Sequence, residues 1–375
     1  MGVTLVDDTT GVVTDRPYWV AFHHVPYVGP AAIRRLREHF GSLERAWHAE
    51  PRRLRAAIPE RAVLALESKR RELDVNSLEA SLTNQGIAFV TLDDDAYPRL
   101  LREIATPPPV LFFRGDLLED DHQAVAIVGT RQITSYGRAM TIEIAQGLAQ
   151  AGMTIVSGLA RGVDGVAHQA ALDVGGRTIA VLGSGVNHIY PHEHRNLATR
   201  ITQQGAVISD YEPDRKPDAP NFPARNRIIS GLSLGVVVIE APEKSGALIT
   251  VDFAADQGRD VFAVPGSIGA HKSEGCNQII RDGARLVRSA DDVLDDLVGK
   301  RIQRDTVPVQ QALPLGENER RVLGVLTGEP QHIDDIAALA NLSTPEVSAH
   351  LVMLEIGGVV RNAGAQHYIR IGGRG

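Results

Sequence analysis

Ala124-Val-Ala-Ile-Val-Gly-Thr-Arg131 and Thr154-Ile-Val-Ser-Gly-Leu-Ala-Arg-Gly162 decide how this chain folds. Each opens with a short run that is apolar at consecutive positions, then meets glycine and an arginine. Strands apolar on both faces belong inside a parallel sheet with helices above and below. Helical stretches follow, near 136–150 and 163–173. The alternation continues outward. Thr178–Leu182 precedes a helix near 192–204, and Ala206–Ile208 leads to a helix entered at Pro223. Val236–Ile239 precedes a helix near 246–257, and Val261–Val264 one near 275–282. Two earlier strand-like runs are Ile87–Thr91 and Val110–Phe113. Strand–helix alternation with short links predicts a doubly wound parallel α/β sheet, placed here at 85–298.

Smaller regions flank it. Residues 1–84 read as a helical domain; Val25–Gly41 holds a Gly-Pro turn before an amphipathic helix, resembling half of a helix-hairpin-helix. Residues 299–314 read as a linker, and 315–375 as a small domain of three helices and a hairpin, a winged-helix pattern. Its helices are expected at Glu319–Leu326, Ile333–Ala340 and Thr344–Glu355, with Asn362-Ala-Gly-Ala as the hairpin turn.

The chain has 375 residues and no apolar run long enough to cross a bilayer. Its single cysteine, Cys276, rules out an intramolecular disulfide and suits a reducing cytosol, hence a cytoplasmic protein. Net charge is −7, but residues 16–73 hold 12 Arg/Lys against 6 Asp/Glu. The tail reverses that balance, with 5 against 7, and its third helix contains no Lys or Arg. Duplex binding draws on phosphate neutralisation, so a protein-contact or regulatory role is expected for this tail.

The loops after the strands carry the chemistry. Gly129 and Arg131 follow the first main strand, and Gly158, Arg161 and Gly162 the second. Lys244, Ser245 and Gly246 follow the fifth. Arg225 and Arg227 come two and four residues after Pro223, a residue suited to a first helical position. That reading sets both arginines in the first turn, opposing the helix dipole by about 0.3–1 kcal/mol each unless an anion binds there. In a parallel sheet these loops share the carboxyl edge, where ligands bind. The spacing suits several phosphates in a row. Phe222 either stacks on an unpaired base or staples the helix entry against the core.

Other groups are weaker candidates. Leu182-Gly-Ser-Gly-Val-Asn-His188 begins like a dinucleotide fingerprint, but His188 stands at the third glycine position. Asp164 and His168, four apart on one helix, read as a buried Asp–His hydrogen bond. His192 and His194 read as solvent-facing, and Cys276 as structural. No metal site, cofactor site or catalytic constellation is assembled by these spacings.

At Val128–Arg131, Ser157–His168, Phe222–Ser230, Glu240–Thr250 and Val264–Gly266 the sequence resembles the DprA/Smf family. Tyr97-Pro-x-x-Leu and Pro107-Pro-x-Val-Leu are similar to that family's lead-in, and the two ends to its N-terminal SAM- or helix-hairpin-helix-like domain and C-terminal winged-helix-like domain. The resemblance implies an extended Rossmann fold that binds single-stranded DNA and passes it to RecA in natural transformation, as a dimer and without catalysis. It implies that Arg131 holds phosphate or a base at the pocket floor, and that Arg161, Arg225 and Lys244 contact backbone. Asp210 departs from the family's usual Glu, and the loop before Phe222 has no lysine nearer than Lys216. Two other readings are a phosphoribohydrolase of the "lonely guy" type and a winged-helix regulator with a ligand-sensing sheet. The region 243–250 has fewer glycines than the enzyme's loop and an added cation, and the acidic third helix of the tail counts against the regulator.

Overall fold

The computed structural model describes residues 15–298, 316–327, 330–356, 359–364 and 366–370. The expected linker at 299–314 lies outside them. The chain divides into two compact units, 1–302 and 303–375.

The first unit is built on a nine-stranded sheet: β1 Ala88–Thr91, β2 Val110–Gly115, β3 Ala124–Val128, β4 Thr154–Ser157, β5 Thr178–Val181, β6 Gly205–Ser209, β7 Gly235–Val238, β8 Asp260–Ala263 and β9 Arg285–Leu286. Their order is β1-β2-β6-β5-β4-β3-β7-β8-β9. From β6 to β9 every pairing is parallel. β3 is buried at all five positions. Its alternate residues feed two cores, Ala124, Ala126 and Val128 on one face, Val125 and Ile127 on the other. β1 and β2 depart from the parallel expectation: β2 runs antiparallel to β6, and β1 antiparallel to β2. The segment joining them spends itself on a short helix, Arg99–Arg102, and three consecutive prolines, with no crossover helix.

The parallel part of the sheet starts at β3, winds out to β6, then returns to the opposite side of β3 at β7. A crevice opens where the winding reverses, at the carboxyl ends of β3 and β7.

Among the described residues six helices precede the sheet: Arg16–His23, Pro30–Phe40, Leu43–His48, Pro51–Leu54, Glu60–Glu72 and Val75–Asn84. Trp19, Phe22, Leu36, Trp47 and Leu66 share one core with Phe89 of β1 and Phe112 of β2, so this helical layer covers that end of the sheet.

The second unit holds helices Glu317–Val325, Ile333–Ala340 and Thr344–Ile356 and a sheet ordered β10-β12-β11, with β10 Gln331–His332, β11 Val360–Gly364 and β12 His367–Arg370. Val322, Ile336, Leu351 and Tyr368 form its core. The sequence reading lacks β10, and Asn362, expected to begin the turn, pairs with Tyr368 in the ladder.

Candidate nucleic-acid interface

At the reversal of winding lies a cleft of about 800 Å³, with a side pocket of about 50 Å³. Loops from β3, β4, β5 and β7 and the helix Asn221–Gly231 meet there.

The β3 loop is fixed from beneath. Glu240, buried at the end of β7, accepts from the Thr134 amide at 2.9 Å and the Thr134 hydroxyl at 2.5 Å. Its own carbonyl accepts from the Thr130 amide at 2.7 Å. Thr134 in turn caps the helix Ser135–Gln150 by accepting from the Gly137 amide at 3.0 Å. Arg131, between these anchors, is exposed, and its guanidinium carbon stands 5.8 Å from the centre of the Phe222 ring. Lys244 is also exposed and lines the cleft beside Ser245 and Gly246. Ser245 spends its hydroxyl oxygen as the cap of the helix Gly246–Asp256, accepting from the Ala247 amide at 3.3 Å.

The glycines answer first to the protein's own packing. Gly162 has φ +77°, and a Cβ there would sit 2.2 Å from the Thr130 carbonyl. A Cβ on Gly158 would fall 1.7 Å from Arg225 Nη1. At Gly129 it would meet Val163 at 2.6 Å, whereas at Gly246 it would enter open space.

The two arginines that the sequence sets in the first turn are placed differently. The helix begins at Asn221, two residues before Pro223, so Arg225 and Arg227 lie beyond the first turn and the dipole conflict disappears. Pro220 caps the entry in its place. Arg225 is a floor residue, only 4% exposed, and lines both the cleft and the side pocket. Burial pulls its pKa down to about 10, with Asp164 opposing the shift. Its Nε and Nη1 have no hydrogen-bond partner. Arg227 points elsewhere: it donates to Asp210 at 2.6 Å and to the Thr106 carbonyl at 2.9 Å, and lines neither cavity. Burial holds the Asp210 carboxyl above its usual range, with Arg227 opposing. Arg161 is exposed at the side pocket and ion-paired with Glu193, whose pKa that bond lowers to about 2.

Phe222 is half-buried at the helix entry, where the packing alternative is seen. It packs on Gly183, where a Cβ would lie 2.8 Å away, and it presents its ring to the cleft and the side pocket. Tyr190, 43% exposed, stands 5.6 Å from it at a 46° tilt. The sequence reading misses Tyr190. Its signal is an aromatic ending the Gly-rich loop after β5, on the same sheet edge as the cations.

Two lesser expectations are corrected. Asp164 and His168 are both buried but not bonded to each other: Asp164 accepts from the Gly158 and Ala160 amides at 3.2 Å each, and His168 Nδ1 bonds Thr178 Oγ1 at 2.6 Å. His194 is half-buried, its Nδ1 donating to the Leu159 carbonyl at 2.9 Å. Cys276 is fully buried, and burial pushes its thiol up to about 12.

Comparison with known proteins places this geometry. Residues 88–298 match the family model of DNA recombination-mediator protein A, and residues 307–365 match the DprA winged helix domain. Protein Smf of Synechocystis sp. is 38% identical over 95% of this chain and 99% of its own length. The X-ray structure of DNA processing protein A from Streptococcus pneumoniae superposes with TM-score 0.65 at 36% identity, covering 75% of this chain and 98% of that one. DNA processing protein A from Helicobacter pylori, solved for its single-stranded DNA binding mode, aligns with TM-score 0.51 at 31% identity over 56% of this chain and 96% of its own.

Proposed function

The chain belongs to the DNA recombination-mediator protein A family, and we propose from that premise that its cleft binds single-stranded DNA. The observation that carries this reading is the meeting of two exposed cations, Arg131 and Lys244, with a pair of aromatic rings, half-buried Phe222 and exposed Tyr190, at the winding reversal of the sheet. The cations neutralise backbone phosphates. The rings accept an unstacked base, at about 1–3 kcal/mol per base. Arg225 brings buried, unpartnered N–H groups to the pocket floor, where an acceptor atom of a phosphate or base satisfies them. Gly129, Gly158 and Gly162 shape the floor, Ser245 and Gly246 the far wall, and Arg161 the outer rim. Arg227 supports from behind through Asp210.

We read the site as a binding surface without a catalysed reaction. Glu243, the acid an enzyme of the phosphoribohydrolase type would use, is exposed and does not line the cleft. Transfer of the bound strand to RecA, work as a homodimer and a cytoplasmic location rest on the family resemblance. The test is anisotropy of a labelled single strand. Phe222→Ala should weaken it by roughly tenfold or more per stacked base while leaving duplex binding nearly unchanged. Release of free base from a nucleoside monophosphate, lost on Glu243→Ala, would support the enzyme reading instead.

A further inference from the structure

The basic excess of residues 16–73 is not scattered. The segment 51–61 runs back along the helix Pro30–Phe40, and three contacts fix the alignment. Arg53 lies with its guanidinium carbon 5.4 Å from the Phe40 ring centre, at the end of the helix. Arg35 Nε donates to the Ala57 carbonyl at 2.9 Å, midway. Arg61 stands 4.9 Å from the Tyr27 ring centre, just before the helix begins. Arg35 lies five residues, about 7.5 Å of helix rise, from Phe40, and Tyr27 lies beyond the other end of the helix, so the three contacts are spread along one seam. All three arginines are exposed, and among the described residues none has a carboxylate within ion-pair distance. The acids on these elements include Glu38 and Glu50, both exposed, Glu44 beside Arg45, and Glu60, which Arg55 holds at 2.5 Å; the charge of Glu67 also reaches Arg55. Arg34 and Arg45 add exposed charge to the same helix and its end.

We propose that this arginine row is a second nucleic-acid site, separate from the cleft, that grips a phosphodiester backbone. A row rather than a point of charge suits a polymeric anion. It offers guanidinium forks without a facing pair of rings such as Phe222 and Tyr190 form in the cleft, and the exposed Tyr27 ring beside it lies against Arg61 at 4.9 Å. The row therefore contacts phosphates alone and accepts duplex as readily as single strand. It lets one molecule hold a duplex while the cleft holds an unpaired strand.

The test compares salt titrations of duplex binding by the full chain and by R35Q/R53Q/R61Q. Loss of three phosphate contacts should lower the slope of log K against log salt by about 2–3. The variant should keep the preference of the cleft for single strands, and R35K/R53K/R61K should restore the duplex slope. R131A/K244A should do the reverse, sparing duplex binding and losing the single-strand preference. The two sites thus fail separately. If the Gln variant unfolds, duplex should still shield Arg35, Arg53 and Arg61 from an arginine-modifying dicarbonyl in the native protein. An unchanged duplex slope in a folded Gln variant, absence of that shielding, or displacement of duplex only by polyglutamate and never by other DNA would overturn the proposal.

Discussion

Arg225 is the residue on which the site turns. A guanidinium cannot shed its proton at working pH, so burying one without full hydrogen bonding is costly. Gly158 leaves the space it occupies. Gly158→Ala should therefore displace the guanidinium, lowering the thermal midpoint by several degrees and weakening single-strand binding, even though alanine is small. A thermal melt and an anisotropy titration of one preparation check both effects. His168 gives a pH prediction. Thr178 donates its hydroxyl to the Ile155 carbonyl, so it accepts from Nδ1–H of His168, leaving Nε2 bare and without a partner. Burial, with His194 and Arg225 nearby, lowers the pKa of His168 to about 3. The unfolded chain, with the ordinary value near 6.5, takes up the proton first. Stability from this residue is therefore complete above pH 7 and is lost as pH falls below about 6.5, by roughly 2 kcal/mol at pH 5. Urea unfolding at pH 7 and pH 5 should show this loss in the wild type and a smaller one in His168→Leu.

At the scale of elements, the β3 loop and the helix after it are held by one buried acid. Glu240 satisfies the Thr134 amide and hydroxyl at the entry of the helix Ser135–Gln150, where a negative charge also meets the dipole. Glu240→Gln should cost about 1–3 kcal/mol. It should also weaken DNA binding through a looser Arg131, without touching the ligand. Restored affinity at unchanged stability, or the converse, would separate the two roles. Elements are also where the sequence was most readable. Consecutive apolar runs such as Ala124–Val128 identify buried strands without ambiguity, and the loops after them are assigned by topology alone. What periodicity did not convey is direction and depth. β1 and β2 read like parallel strands because they too hold consecutive apolar residues, yet they pair antiparallel. Arg225 reads as a first-turn cation because nothing local reveals that Gly158, far along the chain, opens a buried space for it. The helix entry differs from the expectation because Pro223 suits a first helical position but stands at the third, the helix beginning at Asn221.

For the whole molecule, the sheet brings Arg131, Arg225 and Lys244 to one crevice while the net charge stays at −7. Attraction of DNA is thus local, set by the cleft and the helical layer rather than by the overall field. The third helix of the second unit, Thr344–Ile356, has no Lys or Arg and exposes Ala349, Val352 and Met353. Deleting residues 303–375 should leave the salt slope of single-strand binding within about one contact of the full chain, checked by the same anisotropy titration. The measurement that bears most directly on the central claim is a salt titration of binding to a single-stranded oligonucleotide beside its duplex, for the wild type and Arg131→Ala/Lys244→Ala. The cleft predicts tighter binding of the single strand at every salt concentration, with the single-strand slope reduced by about 2 in the variant. Equal affinity for both forms in the wild type, or a slope the variant leaves unchanged, would contradict it.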